Sequence, residues 1–228
     1  MDMNKKLVKK TTAKSTKETI IVFSSHSDDF VIGAGGTIKK YTDEGKNIIA
    51  IVFSYGENSH PWLKEKIVQK MREDETFEAC KILNCQTIFF DLKEMNFKKD
   101  YEKKGYQKDL LKILNNEKPT KIFTHSLDDP HPDHKAVHNI TKQIYEKLKI
   151  KPELYVYSVW NPVSFKTRHP SLYINITKTF KDKLKALKTF KSQKIHVAYP
   201  LFLLLFRAIK EGMKLKGARF AEMFYRIK

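Results

Sequence analysis

Residues 18–30, E-T-I-I-V-F-S-S-H-S-D-D-F, place an apolar, β-branched run directly before a cluster of histidine and aspartate. The run has the length and composition of a strand buried on both faces. Similar runs, separated by helical patterns, recur at residues 47–55, 86–92, 121–125 and 153–160. Strands that alternate with helices of this length indicate parallel β-α-β units. The sequence therefore predicts an α/β fold, a three-layer α/β/α sandwich with a Rossmann-like, mostly parallel sheet.

The remaining segments complete this organisation. Helical patterns between the strands cover residues 33–44, 62–83, 107–115 and 135–148. Beyond the fifth strand, one more short strand is predicted at 170–176 and two more helices at 178–190 and 201–216, the last packed at the edge of the sheet. Residues 1–17 are polar and lysine-rich and predict a flexible basic tail. No linker rich in Pro, Gly or Ser divides the rest, so we expect one domain over 18–228.

Composition restricts the class of protein. The chain has 228 residues, of which 41% are hydrophobic, enough for a core without disulfides or structural metals. Cys80 and Cys85 fit neither a redox pair nor a zinc ribbon. The positive charges near the N-terminus are not followed by the apolar region that a secretory signal requires. The longest apolar run, 199–206, is too short to span a membrane. These features predict a cytoplasmic protein.

The charge of the chain indicates classes of partner. Its 44 Lys and Arg against 26 Asp and Glu give a net charge of +18, which attracts anionic membranes, nucleic acids and acidic substrates. Because the lysines are spread along the chain, a solvated basic surface is the leading interpretation, and nucleic acid is the least favoured partner. The run 199–206, close to Arg207 and Lys210, would suit peripheral docking at the inner membrane surface. We favour instead the interpretation that it is the buried face of a C-terminal helix.

Two clusters of chemically active side chains follow the first and fourth strands, H-S-D-D at 26–29 and H-P-D-H at 131–134. Loops at the carboxyl ends of parallel strands meet at one edge of the sheet, where α/β proteins bind ligands. His26, Asp29 and His134 form a ligand set suited to catalytic zinc, which takes three protein ligands and one water. Asp28, next to them, could accept a proton from that water. Helix capping by the two aspartates is the alternative.

Glycines at 33, 35 and 36 follow the first cluster. A dinucleotide fingerprint places G-x-G-x-x-G directly at the strand end and an acidic residue about 20 positions later, and this segment does not match it. We interpret the glycines as positions of close packing between a helix and the sheet.

These motifs resemble those of the PIG-L/LmbE family of metal-dependent N-acetylglucosaminyl deacetylases. Ser25-His26-Ser27-Asp28-Asp29-Phe30 is similar to the family's A-H-P-D-D-E, and residues 131–134 match its H-P-D-H. Two further segments are similar, R-x-x-E-x-x-x-A-x-x-x-L at 72–83, with Asn84 where the family has glycine, and G-A-R-F-A-E-M-F at 217–224. The resemblance spans about residues 18–228.

The resemblance implies that the protein is an enzyme that removes the N-acetyl group from an N-acetylglucosamine-type sugar or glycoconjugate, free or lipid-linked. It implies zinc, or another divalent metal, held by His26, Asp29 and His134, with Asp28 as the general base. His131 would stabilise the oxyanion, and Asp133 would orient that imidazole. For two further positions, we expect Arg72 to bind substrate, with a solvated helix face as the alternative, and Glu222 to make a structural contact.

Two positions depart from the family motif, Ser27 in place of proline and Phe30 in place of glutamate. The loss of a carboxylate beside a metal loop can lower metal affinity or activity by about 10- to 100-fold. Two alternatives therefore stay open: a basic protein without catalytic activity that binds anionic lipid or nucleic acid on a degenerate deacetylase fold, and a hydrolase of another amide conjugate. The sequence does not decide the oligomeric state.

Overall fold

A seven-stranded sheet forms the centre of the protein. The computed structural model describes residues 18–57, 62–161, 169–193 and 201–228, so the predicted tail at 1–17 lies outside the described residues. The strands are β1 (Thr19–Ser24), β2 (Asn47–Val52), β3 (Gln86–Phe89), β4 (Lys121–His125), β5 (Glu153–Tyr157), β6 (Ser171–Asn175) and β7 (Ala221–Arg226). The helices described are α1 (Asp29–Asp43), α2 (Glu65–Leu83), α3 (Phe97–Lys104), α4 (Tyr106–Glu117), α5 (Pro132–Lys147), α6 (Phe180–Leu187) and α7 (Leu201–Gly212).

The strand order is β3-β2-β1-β4-β5-β7-β6. The first five strands in this order are parallel, whereas β7 runs antiparallel to both of its neighbours. The predicted α/β fold with a mostly parallel sheet is therefore confirmed. The order reverses between β1 and β4, so the carboxyl ends of these two strands flank the crevice where such sheets bind ligands.

Alternation along the strands produces the three layers. Ile20 and Val22 of β1 face one apolar cluster, whereas Ile21 and Phe23 face the other. The first cluster is covered by α1, α2, α6 and α7, and the second by α3, α4 and α5. Because successive side chains of a strand point to opposite faces, a continuous apolar run such as that of β1 fills both layers.

Several element boundaries differ from the sequence prediction. α1 begins at Asp29, four residues before the predicted start, because the H-S-D-D segment turns directly into the helix. Neither α3 nor β7 was predicted. α3 is dominated by charged residues, and its buried apolar positions are Phe97 and Tyr101. β7 begins in the segment 217–224 that we assigned to the family resemblance alone, and it pairs with β5 and β6.

The glycines of α1 allow the helix to approach the sheet, as we predicted. A Cβ on Gly33 would overlap the ring of Tyr157, which is buried and donates a hydrogen bond from its hydroxyl to the carbonyl of Phe23 at 2.7 Å. A side chain at this position would therefore push α1 away from β5.

Glu222 makes the structural contact expected from the sequence. Its carboxylate accepts hydrogen bonds from the backbone N–H groups of Gly36 and Thr37, at 3.0 and 2.7 Å, and pairs with Lys183 at 2.6 Å. Lys183 in turn donates to the carbonyl of Ile32 at 2.7 Å. This buried ion pair ties β7 and α6 to the middle of α1.

The expectation of a buried C-terminal helix is wrong for most of the apolar run. Tyr199 and Pro200 lie outside the described residues, and α7 buries Leu204 and Ala208. Phe202, Leu205, Phe206 and Ile209 are exposed, whereas Leu201 and Leu203 are half-buried. Within the described residues, no helix has the length and apolarity that crossing a membrane requires.

Candidate active site

The loop after β1 is held by its own side chains and leads into α1. Ser24 Oγ donates to the carbonyl of His26 at 2.6 Å and accepts from the backbone N–H of Phe30 at 3.0 Å. The N–H of His26 donates to Asp29 Oδ2 at 2.8 Å. Asp28 stands at the N-cap of α1, but its carboxylate makes no capping hydrogen bond. The capping alternative therefore does not account for Asp28, and its carboxylate is available for chemistry.

The structure brings together the three residues that the sequence singled out as metal ligands. His26 Nδ1 lies 3.3 Å from Asp29 Oδ2, and His134 Nε2 lies 3.2 Å from the same oxygen. His134 comes from the first turn of α5, which starts at Pro132 directly after the loop that follows β4. One ligand atom from each residue lies within 4.8 Å of the others, a spacing that a single cation can bridge.

A carboxylate stands behind each of the two imidazoles. Asp133 Oδ2 lies 3.2 Å and Glu94 Oε1 3.6 Å from His26 Nε2, on the side of the ring away from Asp29. Asp129 Oδ1 lies 2.9 Å from His134 Nδ1. Metal-binding histidines in proteins usually donate their second ring N–H to such a group, which fixes the orientation and tautomer of the ring.

The electrostatics of this cluster favour positive charge. Burial lowers the pKa of His26, but contacts with Asp133 and Asp29 outweigh it and raise that pKa to about 10. The pKa of His134 rises to about 9, because Asp29 and Asp129 likewise outweigh burial. Despite its burial, Asp29 has a pKa well below the usual value, chiefly through His134. A buried cluster with this many carboxylates fits a divalent cation, which would replace the protons of the two rings.

Asp28 and Arg72 form a second pair at the site. Burial raises the pKa of Asp28, with Arg72 opposing and Asp29 adding to the shift. We expected Arg72 to bind substrate, but its side chain is only 1% exposed and its Nη2 lies 4.0 Å from Asp28 Oδ1. Its Nε donates to the carbonyl of Tyr55 at 2.8 Å. This geometry favours stabilisation of the Asp28 carboxylate by Arg72 over direct binding of a substrate by Arg72.

His131 presents one ring nitrogen to the site. Its Nδ1 accepts a hydrogen bond from the backbone N–H of Asp133 at 3.2 Å, so the neutral ring carries its proton on Nε2. Burial lowers the pKa of His131, and the neighbouring His26 and His134 lower it further. We expected the Asp133 carboxylate to orient this imidazole. The contact observed runs through the Asp133 backbone instead, whereas the carboxylate lies against His26 and accepts from the N–H of Met95 at 3.0 Å.

Comparison with known proteins identifies the family. The model of the PIG-L family, described as GlcNAc-PI de-N-acetylase, matches residues 21–145, which include both motifs of the site. The chain belongs to the PIG-L family. Membership confirms the resemblance inferred from the sequence, and it confirms the predicted enzyme class, the N-deacetylases that hydrolyse amide bonds, at the level of the family.

The similar proteins include more than one activity. A diacetylchitobiose deacetylase from Thermococcus kodakarensis is 23% identical, with 89% of this chain and 80% of the relative covered. A 4-oxalmesaconate hydratase from Pseudomonas putida is 25% identical, with 78% and 74% covered. The solved N,N'-diacetylchitobiose deacetylase of Pyrococcus horikoshii shares the fold, with a TM-score of 0.78 at 24% identity over 93% of this chain and 84% of that one.

Sequence reasoning missed two acidic residues that touch the PIG-L site, Asp129 and Glu94. Asp129 precedes the H-P-D-H motif by two positions, and its oxygens accept from the N–H groups of Val159, Trp160 and His131 as well as facing His134. Its position directly before Pro130 and next to the motif was the available signal. Glu94 lies in the loop between β3 and α3, and nothing near it in the sequence marks it.

The structure shows where the side chain of Phe30, one of the two departures from the family motif, lies. Phe30 is fully buried in the apolar cluster beneath α1 rather than beside the candidate ligands.

A second group of possible ligands, His125 with Asp129 and His134, is completely buried. Because His125 Nε2 already accepts from the N–H of Ser25 at 3.0 Å, this group fits a cation less well than the first.

Proposed function

We propose that this protein is a metal-dependent hydrolase that removes the N-acetyl group from an N-acetylglucosamine-type sugar or glycoconjugate. The observation that carries the proposal is the convergence of His26 Nδ1 and His134 Nε2 on one oxygen of Asp29, with the uncapped carboxylate of Asp28 in the next position of the loop. Family membership supports the reaction class.

His26, Asp29 and His134 would hold the cation, and we propose zinc, which takes imidazole and carboxylate ligands in this number. When bound, such an ion lowers the pKa of a coordinated water to about 7 and polarises a carbonyl group. The carboxylates of Asp133 and Asp129 would keep the two rings in the ligating orientation, since each faces the ring nitrogen that is turned away from Asp29.

Asp28 and His131 would accept and donate the protons of the reaction. Asp28 accepts a proton from water as the new C–O bond to the acetamide carbon forms, and its raised pKa brings it closer to the working pH of a general base. Nε2–H of His131 donates to the carbonyl oxygen as negative charge develops there. The C–N bond then breaks, the amine leaves with a proton from Asp28 or His131, and acetate remains.

Several classes of substrate are compatible with this reaction. Relatives include a diacetylchitobiose deacetylase and a protein named "Probable N-acetyl-alpha-D-glucosaminyl L-malate deacetylase 2", so small acetamido sugars are the first candidates. A lipid-linked acetamido sugar, another amide conjugate and a binding protein without catalytic activity are the competing possibilities. The hydratase among the relatives adds a further one, the addition of water to a double bond.

The experiment combines metal content with acetate release. Zinc per chain is measured by mass spectrometry for the wild type, Asp28→Asn and His134→Ala, and acetate release is followed with N-acetylglucosamine and N,N'-diacetylchitobiose. We expect about one zinc in the wild type and in Asp28→Asn, and loss of zinc in His134→Ala. Acetate release should fall by at least about 10²-fold in Asp28→Asn, since a general base contributes that much.

The outcomes separate the competing functions. Full activity of Asp28→Asn would exclude it as the base. Zinc binding with no acetate from any acetamido sugar, together with hydration of 4-oxalmesaconate, would assign the hydratase reaction. A wild-type protein that takes up no metal when zinc is supplied would favour the binding protein.

A further inference from the structure

Large, exposed apolar side chains lie along the edge of the sheet that carries the candidate site. The loops after β2, β3, β4 and β5 expose Trp62, Met95, Leu127 and Trp160. In the strand order, the loop after β1, which holds His26, lies between the loops after β2 and β4. The exposed side chains therefore occur on both sides of the site, along one edge.

α7 adds an apolar face to the same edge. Arg207 Nη1 donates to the carbonyl of Ser158 at 2.7 Å, and Ser158 follows β5 directly, so the helix lies at the carboxyl end of that strand. Leu204 and Ala208 pack inward. The opposite, exposed face has helical spacing and consists of Phe202, Leu205, Phe206 and Ile209, and Met213 is exposed directly after the helix ends. Contiguous apolar surface of this kind marks an interaction site on a soluble protein.

The charge of the whole chain indicates the kind of partner. Near the surface itself, Lys64, Lys66, Lys93 and Lys210 are accompanied by Glu65, Glu94 and Asp128, so the local charges are mixed. The acidic residue of α7, Glu211, is buried and pairs with Lys214 at 2.9 Å. A second copy of the chain would bring a net charge of +18 against +18, whereas an anionic surface would be attracted.

We propose that this surface docks on an anionic lipid bilayer. We name it the apolar rim and define it by Trp62, Met95, Leu127, Trp160 and the exposed face of α7. A helix with one apolar face and flanking lysines lies in the plane of the membrane interface, held by apolar burial and by attraction to anionic headgroups. Docking by the rim would turn the edge of the sheet that carries His26 toward the headgroups.

This docking is independent of the chemistry at the site, because it requires neither the cation nor a sugar. The further step, that the acetamido sugar is lipid-linked and reached at the bilayer surface, rests on the proposed function. Vesicles without any sugar therefore test the docking alone, and acetate release from soluble sugars tests the chemistry alone.

The two tryptophans of the chain provide an internal reporter. Both belong to the rim, Trp62 at 91% and Trp160 at 41% exposure. Protein is mixed with phosphatidylcholine vesicles that contain 30% phosphatidylglycerol or none, and binding is measured by cosedimentation and by tryptophan emission. We expect binding and a shift of emission to shorter wavelength with the anionic vesicles, both weakened by raising NaCl from 50 to 500 mM.

Three variants identify the surface responsible. Phe202→Ser with Phe206→Ser, at side chains that are 70% and 65% exposed, should lower the partition coefficient about tenfold or more, because burial of one Phe is worth at least that factor. Trp62→Ser should lower it through a different element. The matched control is Ile150→Ser, since Ile150 is 60% exposed but precedes β5 at the opposite edge of the sheet, and its binding should equal that of the wild type.

Other results would overturn the proposal. Equal binding to neutral and anionic vesicles, or unchanged binding of the double phenylalanine variant, would exclude docking by the rim on anionic lipid. A wild-type dimer in light scattering that the double variant converts to a monomer, without any emission shift on vesicles, would assign the rim to self-association. Thermal unfolding of each variant confirms that it is folded.

Discussion

Asp129→Asn provides a test of how the candidate site is assembled. The carboxylate of Asp129 is fully buried, and four donors converge on its two oxygens. Oδ1 faces His134 Nδ1 at 2.9 Å and the N–H of His131 at 3.2 Å, whereas Oδ2 accepts from the N–H groups of Val159 and Trp160, both at 3.0 Å. Asparagine has the same shape but only one acceptor oxygen, so its NH₂ group must face two of these donors.

The magnitude follows from the contacts that are lost. A hydrogen bond to a charged group contributes about 1.5–3 kcal/mol, and two of the four become repulsive or unpaired. We expect the free energy of unfolding of the metal-free protein to fall by about 3–6 kcal/mol. Zinc affinity should fall by about 10- to 100-fold, or about 1.4–2.8 kcal/mol, because His134 loses the carboxylate that orients it.

Two assays separate these effects. Urea denaturation of the metal-free protein measures stability, and competition with a chromogenic chelator measures the zinc dissociation constant. Asp128→Asn is the matched control, since Asp128 is the exposed neighbour of Asp129, and both quantities should stay close to those of the wild type. If Asp129→Asn bound zinc as tightly as the wild type, our account of His134 as a ligand held from behind would be refuted.

Three further predictions address other parts of the protein. His131→Ala should keep its zinc while kcat falls by about 10²–10³, the effect of removing one oxyanion donor, and a parallel loss of metal would argue against that role. Gly33→Ala should lower the free energy of unfolding by about 1–3 kcal/mol, measured in urea, because the methyl group overlaps the Tyr157 ring; wild-type stability would contradict the close packing. Lys183→Met should cost about 3–5 kcal/mol in the same assay by leaving Glu222 charged and buried, and adding Glu222→Gln should recover part of the loss.

The sequence was sufficient for the parallel half of the sheet and for the composition of the site. β1 and β2 are buried on both faces, so their apolar runs are unambiguous, and parallel connection follows from the helices between them. The H-S-D-D and H-P-D-H motifs were predicted to meet because both follow strands that end at one edge of the sheet. The distances among His26, Asp29 and His134 agree with that expectation.

Other features depended on contacts that local sequence does not encode. β7 finds its place between β5 and β6 only through pairing with strands that precede it by more than 40 residues. The face of α7 that packs inward is small, Leu204 and Ala208 among larger apolar residues, and the abundance of leucine and phenylalanine suggested deeper burial than the structure shows. The contact of the Asp133 carboxylate with His26 was not expected, because the motif gives residue order but not ring orientation.

The pairing of β6 has a consequence for synthesis of the protein on the ribosome. The five parallel strands can add to the sheet in succession, because each finds its neighbours among residues already made. β6 is made before β7 but pairs with it alone, and its backbone hydrogen-bonding groups have no strand partner until residues 221–226 emerge. We therefore expect nascent chains that stop before residue 221 to expose an unpaired strand edge and to depend on chaperones more than the finished chain does.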